Sequence, residues 1–455
     1  MRASACCFLA LALAPSVAAQ TVLTVPGNHA TIQAAIAAAT NGTTILVLPG
    51  TYFENLDLLG KQLVIESVAG PTQTTVDGSA GNNTVVFAGS GEPVGTRIKG
   101  FRLRGGNGRP VPSSYGFDYY GGGAHVGNGS FLRLENCHIV DNALNTGTFA
   151  GGVYVGAQGS RAEVYGCLIH NNRAWASGGA TLSDYYGTML VERCTVTGNS
   201  SNSWAFGHQG GISAANHGSV VVKDSIVWGN AGYQIAAFGA PYNVGTSLTA
   251  TWSTVQGGYS GTGNLSGDPR FVAPATGDMR LTAASPCIDA GDPSSPLDPD
   301  NTRADQGCFP YSQVSGAFTA FGTGCAGSVG VPVLGTRNGS LPRIGQGFDL
   351  QLTNLPQLAT VCVPFFGFSN TSSNGTPLPA SLAAYGMPGC TLYTNCFGSS
   401  FVVGTAGTAR WTLAVPNLIA MVGLHFFVQS LVADPAAANP LGMVTSNAGD
   451  ATIGG

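Results

Sequence analysis

Short apolar segments alternate with polar residues through the central part of the chain. Segments 131–136 ("FLRLEN") and 219–224 ("SVVVKD") place an apolar side chain at every second position, and Gly, Asn and Ser bound such segments. A period of about two residues is typical of β-strands, and the helical period of about 3.6 residues is missing from these segments. The pattern predicts an all-β protein with many turns.

The same segments recur as a repeat. Four stretches that start at residues 122, 151, 178 and 210 each contain Gly-Gly, then a Cys or Ser, and then an Asn. Cys137, Cys167, Cys194 and Ser225 occupy the equivalent position at spacings of 30, 27 and 31 residues, and Ser253 follows 28 residues later. Periods of roughly 20 to 50 residues indicate structural units that stack on one another.

Stacking makes equivalent residues neighbours. If each repeat turns once, successive coils lie about 4.8 Å apart, and about nine coils between Thr44 and Phe271 give a solenoid of about 40 Å. The Cys and Ser series then forms a file of small buried side chains, and the Gly-Gly pairs supply corner torsions that other residues resist. A second file forms at a turn, where each amide bonds to the next coil. Its members are Asn142, Asn172, Asn199 and Asn230.

The beginning of the chain resembles a known fold. Residues 30–67 ("ATIQAAIAAATNGTTILVLPGTYFENLDLLGKQLVIES") resemble the opening of right-handed parallel β-helix proteins of the pectin lyase-like superfamily. In that family a short amphipathic helix caps the first coil, and a "pGtY" turn follows. The resemblance implies a cap helix at 30–40 with Ile32, Ala35 and Ile36 facing the core.

A second segment resembles the end of such a domain. Residues 285–311 ("SPCIDAGDPSSPLDPDNTRADQGCFPY") are similar to the terminus of many secreted bacterial β-helix domains. The resemblance therefore implies a right-handed parallel β-helix over residues 20–311. Before it, residues 1–19 carry one Arg, an apolar run and small residues, which is typical of a secretory signal peptide. We expect an exported bacterial protein, secreted or held at the cell surface.

Residues 312–455 lack the repeat, and Pro and Gly separate their short apolar runs. This pattern predicts a C-terminal β-sandwich module, for which a structural or attachment role is the simplest interpretation. Cys390 and Cys396 bracket a short loop and are candidates for a disulfide. The apolar stretch 413–433 contains Pro416 and alternates like strands, so we interpret it as two buried strands and expect no membrane span.

The charge content excludes one class of partner. Charged residues make up 9% of the 455 residues, against a globular average of about 25%, and the formal net charge is −4. Nucleic-acid binding needs a basic face, and the sequence contains no cluster of Lys or Arg. We therefore expect no nucleic acid partner, and a monomer.

Aromatic residues are frequent in the loops that precede each Gly-Gly and in the strands that follow. Because the coils stack, these residues should line one edge of the solenoid, where aromatic faces beside polar groups can hold sugar rings. The alternative is that they only cover exposed coil edges. The candidate substrate-binding residues are Tyr119, Tyr120, Tyr154, Trp175, Tyr185, Trp204 and Phe206.

Candidate catalytic residues lie on the same strands and loops. His125, Asp184 and His208 are acid/base candidates, and Arg173 or Lys223 is a candidate cationic partner. Polysaccharide lyases of the resembled superfamily use a Lys or Arg base with Ca²⁺, and its polygalacturonase relatives use clustered Asp residues. The "NTD", "DD" and Arg-rich signatures of those enzymes are missing here. Charges at the equivalent strand positions Glu135, Tyr165, Glu192 and Lys223 follow no order, as on a solvated outer face.

One acidic segment could bind a metal. Asp298, Asp300 and Asp305 supply the oxygen ligands that Ca²⁺ prefers, and such an ion would be structural. The alternative is that Arg303 pairs with these carboxylates and no ion is needed.

Two functional hypotheses follow. The first is a secreted β-helix protein that engages extracellular polysaccharide, including the case of a pectate lyase-like enzyme or a glycoside hydrolase that acts on acidic polysaccharide. The second is a non-catalytic, adhesin-type β-helix protein, because the repeats also resemble those of polymorphic outer membrane proteins.

Overall fold

The computed structural model describes residues 21–114, 116–142, 148–202, 209–238, 245–416 and 418–455. The chain divides into two compact units. The first contains the chain up to Pro293 together with Asp305–Phe309, and the second contains Ser294–Ala304 together with Pro310–Gly455. In the described chain, no helix has the length and apolar character needed to cross a membrane.

A short helix, Ile32–Ala38, precedes the main stack of strands. The side chain of Thr31 caps it by accepting a hydrogen bond from the Ala34 N–H, and Ile32, Ala35 and Ile36 are buried. The Glu54 carboxylate accepts hydrogen bonds from the N–H groups of Ile32 and Gln33 at 2.9 and 2.8 Å, which satisfies donors that a helix start leaves open. The cap helix is confirmed, but it is shorter than the predicted 30–40.

The first unit is a solenoid of three parallel sheets, which we name A, B and C in the order in which the chain visits them. Sheet A has nine strands, and eight spacings of about 4.8 Å give a stack about 38 Å long. The count agrees with the predicted nine coils, although it begins earlier, at Val22. The strands of sheet A are Val22–Val25, Thr43–Val47, Leu63–Ser67, Arg97–Lys99, Phe131–Glu135, Arg161–Tyr165, Thr188–Glu192, Ser219–Lys223 and Ser247–Thr251.

Sheets B and C complete each coil. The strands of sheet B are Gly50–Tyr52, Thr74–Asp77, Arg102–Arg104, His138–Val140, Leu168–His170, Thr195–Thr197, Ile226–Trp228 and Thr254–Val255. The strands of sheet C are Leu56–Asp57, Val86–Ala88, Ala124–Val126, Val153–Val155, Thr181–Ser183, Ile212–Ala215 and Ile235–Phe238. Shorter elements decorate the solenoid: the 3-10 helices Gly78–Ala80 and Pro274–Thr276, and the strand pairs Arg173–Ala174 with Ser200–Ser201 and Phe271–Ala273 with Asp278–Leu281.

The predicted file of small side chains lies inside the solenoid. Cys137, Cys167 and Cys194 are fully buried in the hydrophobic core. Ser225 is also fully buried and places a hydroxyl group at the equivalent position. The N–H of Cys137 lies 3.3 Å from the Cys167 sulfur, and the N–H of Cys194 donates to the Ser225 hydroxyl at 3.1 Å. Each member therefore bonds to the next coil, and the prediction is confirmed.

The asparagine file is also confirmed. Nδ2 of Asn142 donates to Oδ1 of Asn172 at 3.0 Å, Asn172 donates to Asn199 at 3.0 Å, and Asn199 donates to Asn230 at 2.8 Å. Each amide also donates to a backbone carbonyl, as Asn172 does to Ile139 O at 2.8 Å. The file therefore satisfies a row of buried polar groups that would otherwise destabilise the corner.

The reason predicted for the Gly-Gly pairs holds only at Gly178, where φ is 68°. For the pairs that start at residues 122 and 151, the left-handed φ lies one residue earlier, at Gly121 (63°) and Ala150 (57°). A Cβ on Gly151 would lie 2.6 Å from the backbone N of Arg173 and from the carbonyl O of Gly179. Apart from Gly178, the pairs are therefore needed because the backbones of adjacent coils approach closely, and not because of their own torsions.

The outer face of sheet A carries ion pairs across the coils. Glu135 lies beside Tyr165, Tyr165 beside Glu192, and Glu192 beside Lys223, as predicted. Next to this row, the Arg133 guanidinium contacts Glu135 at 3.1 Å and Glu163 at 3.0 Å. These charges sit on a partly solvated face, where each pair contributes about 0 to 1 kcal/mol.

The second unit contains two antiparallel sheets on a shared apolar core. The larger sheet has the strands Ala317–Phe321, Thr360–Gly367, Gly398–Ser399, Val402–Gly404, His425–Ala433, Met443–Thr445 and Ala448–Thr452. The smaller sheet has Val333–Thr336, Gly347–Thr353 and Ala409–Ala414. Four short strands, Ser372–Ser373, Thr376–Pro377, Ala380–Ser381 and Thr391–Leu392, and the 3-10 helices Ala383–Tyr385 and Ile419–Met421 complete the unit.

Two predictions for the second unit have different outcomes. The stretch 413–433 ends one strand and contains another, Ala409–Ala414 and His425–Ala433, which confirms the interpretation as strands. The expected pairing of Cys390 with Cys396 is wrong, because Cys390 forms a disulfide with Cys325. Cys396 is a free and exposed thiol.

Candidate functional site

An outward-facing row of side chains on sheet C is the base of the candidate site. His125 lies between Phe87 and Tyr154 in this row, and Leu182 follows Tyr154. Period-two alternation after each Gly-Gly pair predicts His125, Tyr154, Thr181 and Ser213 in this outer row. Leu182 instead takes the position predicted for Thr181, and Thr181 is fully buried in the inward row. The reason is a shift of one residue: Gly179-Ala180, and not Gly178-Gly179, is equivalent to the other Gly-Gly pairs.

A hairpin covers part of this row. Its strands are Arg109–Ser113 and Gly116–Tyr120, and Thr148–Phe149 extends it to three strands. The Tyr120 ring lies 4.7 Å from the Tyr154 ring and is stacked on Phe149 at 5.2 Å. Tyr120 and Tyr154, two of the predicted binding residues, thus pack against each other, and Tyr154 is only 5% exposed.

His125 lies beneath this cover. Its side chain contacts Phe87, Tyr120 and Tyr154, and Nδ1 lies 3.4 Å from the Tyr120 carbonyl oxygen. Burial lowers the pKa of His125, the contact with Tyr120 opposes this shift, and the positive charge of Arg109 adds to it. Together these effects bring the pKa to about 4. The imidazole is therefore neutral at neutral pH.

Asp184 lies at the end of the sheet C strand Thr181–Ser183. Its Oδ1 accepts hydrogen bonds from the Tyr185 N–H at 3.0 Å and from Asn216 Nδ2 at 2.9 Å. The residue is 5% exposed, and burial raises the pKa of its carboxyl group although both hydrogen bonds oppose the shift. A buried carboxylate with a raised pKa is a candidate for binding or proton transfer.

A second carboxylate, that of Asp118, affects the same two tyrosines as Asp184, namely Tyr120 and Tyr185. Burial raises the pKa of Tyr120, and the charges of Asp118 and Asp184 raise it further. The pKa of Tyr185 is likewise raised by burial first and by Asp184 and Asp118 after it. Burial raises the pKa of Tyr154 and the charge of Asp184 raises it further, so we treat Asp118, Tyr120, Tyr154, Asp184 and Tyr185 as one electrostatically coupled group.

Exposed rings flank this group at the turn from sheet C to sheet A. Tyr185 and Tyr186 are each 54% exposed. The Tyr186 ring is stacked on the His217 ring of the next coil, with centroids 4.5 Å apart and planes 3° from parallel. We name Tyr185, Tyr186 and His217 the tyrosine ledge.

The backbone of the ledge is unusual. The residue two positions before each sheet A strand is left-handed in five successive coils. These residues and their φ values are Gly129 (74°), Gly159 (83°), Tyr186 (65°), His217 (66°) and Gly245 (86°). Left-handed torsions cost a residue with a side chain about 1 to 2 kcal/mol relative to glycine. Tyr186 and His217 thus carry aromatic side chains at a turn position that is glycine in three of the five coils.

Several predicted residues lie elsewhere. Arg173 is exposed in the strand Arg173–Ala174, and Trp175 is 50% exposed. Across the residues that the structure describes, no hydrogen bond or ring contact joins either of them to Asp184. Lys223 lies on the outer face of sheet A, with Nζ 3.1 Å from an Asp292 carboxylate oxygen.

Of the remaining predicted residues, one lies in the hairpin and three lie outside the described residues. Tyr119 is half-buried and pairs with Thr148 across the hairpin extension. Trp204, Phe206 and His208 lie outside the described residues.

The predicted calcium ligands fall in different units. Asp298 and Asp300 belong to the second unit, and Asp305 belongs to the first. The Asp300 carboxylate accepts hydrogen bonds from Thr302 and from the Gln313 N–H, and Oδ1 of Asp305 accepts one from the Asp289 N–H. Within the described ranges, no three His, Cys, Asp or Glu side chains are grouped so that they could hold a metal ion. Calcium binding stays a prediction.

Two turn residues beside the candidate site, Asn216 and His217, are not among the site residues predicted from the sequence. Asn216 donates to Asp184 and His217 stacks on Tyr186, and these two residues occupy the turn positions that Asn128 and Gly129 occupy three coils earlier. The signal was present, because Tyr185-Tyr186 and Asn216-His217 replace a turn dipeptide of the Asn-Gly type. The equivalence of these turn residues appears only when each turn is aligned by its distance from the sheet A strand that follows it.

Comparison with known proteins agrees with the fold. No curated protein matches the chain. Residues 113–247 match the family model described as the right handed beta helix region. This segment contains the hairpin, Asp184 and the tyrosine ledge, so residues 113–247 are a right-handed parallel β-helix region both by sequence match and by the three parallel sheets.

Proposed function

We propose that this β-helix protein binds extracellular polysaccharide along the tyrosine ledge. The observation that carries the proposal is the stack of the exposed Tyr186 ring on the half-buried His217 ring, both in left-handed torsions that glycine adopts more readily. Exposed aromatic clusters indicate interaction surfaces. The apolar C–H face of a sugar ring packs on an aromatic face, and its hydroxyls need polar partners.

The group behind the ledge offers those polar partners. The carboxylates of Asp184 and Asp118 can accept hydrogen bonds from sugar hydroxyls, and the hydroxyls of Tyr120 and Tyr185 can donate or accept them. Because the coils are stacked at about 4.8 Å, a ligand that runs along the solenoid meets equivalent turns in succession. An extended polymer therefore fits this surface better than a compact ligand does.

Export supports an extracellular ligand. Residues 1–19 have the features of a signal peptide, and the second unit contains the Cys325–Cys390 disulfide. Disulfides persist in oxidising compartments outside the cytosol. We therefore place the protein outside the cell, where polysaccharides are abundant.

Cleavage of the bound glycan is the second candidate function. One observation favours it: two carboxylates act on the same tyrosines, and the pKa of Asp184 is raised by burial. Carboxylate pairs are the catalytic groups of glycoside hydrolases. A lyase would instead need a cationic base, and Arg109, the cation that acts on His125, is held over the Phe87 ring at 3.5 Å. Asp184 is the acid/base residue of this candidate function.

A binding and product assay tests both functions. The mature protein is titrated with neutral and acidic polysaccharides, and the Tyr185→Ala/Tyr186→Gly variant is compared with Phe53→Ala, which removes a 62% exposed ring elsewhere on the solenoid. We expect at least a tenfold loss of affinity in the ledge variant and no loss in the control. New reducing ends without unsaturated products would establish hydrolysis, new reducing ends together with absorbance from unsaturated products would establish a lyase, and binding without products would establish the adhesin-type function. Equal affinity of both variants would refute the proposal.

A further inference from the structure

We propose that the tyrosine ledge holds one uncharged pyranose ring against Tyr186, in the space above Gly159, and that it discriminates against uronic acids. This inference rests on the proposed function and adds to it the subsite and the class of sugar.

The space exists because the ledge ends abruptly on one side. Tyr186 stacks on His217 of the following coil, so its opposite face is directed towards the preceding coil. The equivalent residue of that coil is Gly159, which has no side chain. A Cβ placed there would meet only the Cα of Gly129, at 3.6 Å. One coil spacing of about 4.8 Å is enough for one stacked sugar ring.

The other side of the ledge is closed. The residue equivalent to His217 in the following coil is Gly245, and a Cβ there would lie 2.5 Å from Nδ1 of His217. The imidazole therefore packs directly on the next turn and leaves no room for a ring. The asymmetry places the subsite on the Tyr186 face alone.

The charge of the site selects the sugar. Asp184 precedes Tyr186 by two residues, and the groups that donate to its Oδ1, the Tyr185 N–H and Asn216 Nδ2, are uncharged. Asp118 adds a second negative charge that acts on Tyr185. Sugar hydroxyls can donate to these carboxylates, whereas the additional carboxylate of a uronate can only accept hydrogen bonds and is repelled by them. Neutral glycans should therefore bind more tightly than uronates.

The test fills the subsite with a small side chain. Gly159→Asn is compared with Gly129→Asn, which changes the equivalent turn one coil further from Tyr186. Both glycines are left-handed, a conformation that Asn tolerates, and neither Cβ would clash. Calorimetric titration uses neutral hexasaccharides of glucose, mannose and galactose and the hexasaccharide of galacturonate, each with wild type, both variants and Asp184→Asn.

We expect at least one neutral hexasaccharide to bind at least tenfold more tightly than hexagalacturonate. We expect Gly159→Asn to lose at least tenfold in affinity, Gly129→Asn to stay within twofold of wild type, and Asp184→Asn to reduce the discrimination against galacturonate. Wild-type affinity in Gly159→Asn, or tighter binding of hexagalacturonate than of every neutral hexasaccharide, would overturn the inference. The proposed function would still hold in that case if Tyr186→Gly abolishes binding. No binding of any hexasaccharide by wild type would overturn both.

Discussion

The ring of Tyr186 lies on the ring of His217 at 4.5 Å, with planes 3° from parallel, although both residues adopt torsions that favour glycine. The stack brings together residues 31 positions apart, one coil of the solenoid. Stacked aromatic pairs contribute about 0.5 to 1.5 kcal/mol, which is no more than the strain of two left-handed residues. Stability alone therefore does not account for the pair.

Replacement of Tyr186 by Gly separates binding from stability. Glycine relieves the left-handed strain while the stack on His217 is lost, so we expect the free energy of unfolding to change by less than about 1 kcal/mol. Glycan affinity should fall at least tenfold. Thermal unfolding and calorimetric titration of the same preparations check both expectations. A fall in Tm of more than about 6 °C would instead show that the ring is structural.

Acid should destabilise the solenoid through His125. Its pKa is about 4 in the folded chain and about 6.5 in the unfolded chain, so the unfolded chain binds a proton first as the pH falls. The stabilisation is fully present above pH ~6.5 and is lost towards pH ~4, by about 3 kcal/mol.

His125→Phe, which matches Phe87 in the same row, should remove this part of the pH dependence. Denaturant unfolding between pH 7 and pH 4 measures it. The half-buried His138, whose pKa burial also lowers to about 4, should keep its own contribution in the variant. An unchanged pH dependence in His125→Phe would contradict the burial of the imidazole.

Asn172 should be essential to the asparagine file. Asn172→Ala removes the donor to Asn199 and to Ile139 O and leaves buried partners unsatisfied, so we expect a loss of about 2 to 4 kcal/mol. Gln158→Ala, which changes an exposed amide in the neighbouring turn, should change stability by less than about 0.5 kcal/mol. Denaturant unfolding of both variants measures the difference, and equal stabilities would contradict the file.

The disulfide assignment has a direct chemical test. Peptide mapping without reduction should recover Cys325 linked to Cys390, and a thiol reagent should label Cys396 in the folded protein because that thiol is exposed. Closing a loop of 65 residues stabilises a unit by about 4 kcal/mol, so Cys390→Ser should lower the unfolding transition of the second unit. A Cys390–Cys396 peptide would contradict the assignment.

The repeat made much of the solenoid predictable. Cys137 contacts Cys167, and Asn142 contacts Asn172, so residues one period apart in the sequence are neighbours in the structure. The period of the sequence therefore predicts these tertiary contacts. The cap helix was predicted from the resemblance of residues 30–67 to the opening of β-helix proteins, and Ile32, Ala35 and Ile36 are buried as that resemblance implies.

The candidate site was predictable only in part. Tyr120 packs on Tyr154, and burial first and the charge of Asp184 after it raise the pKa of both tyrosines, but the alignment of Thr181 with the outer row was off by one residue. A shift of one residue moves a strand side chain to the opposite face, and Gly-rich repeats of unequal length leave that shift undetermined.

The sequence by itself determined the period, the parallel sheets and the two buried files, because in a solenoid these depend on local spacing alone. The tertiary structure decided what spacing does not encode: the hairpin Arg109–Tyr120 that buries His125, the distant pairing of Cys325 with Cys390, and the left-handed turns that expose Tyr186. These features depend on packing between segments with no common period and on backbone torsions, and neither is written in the repeat.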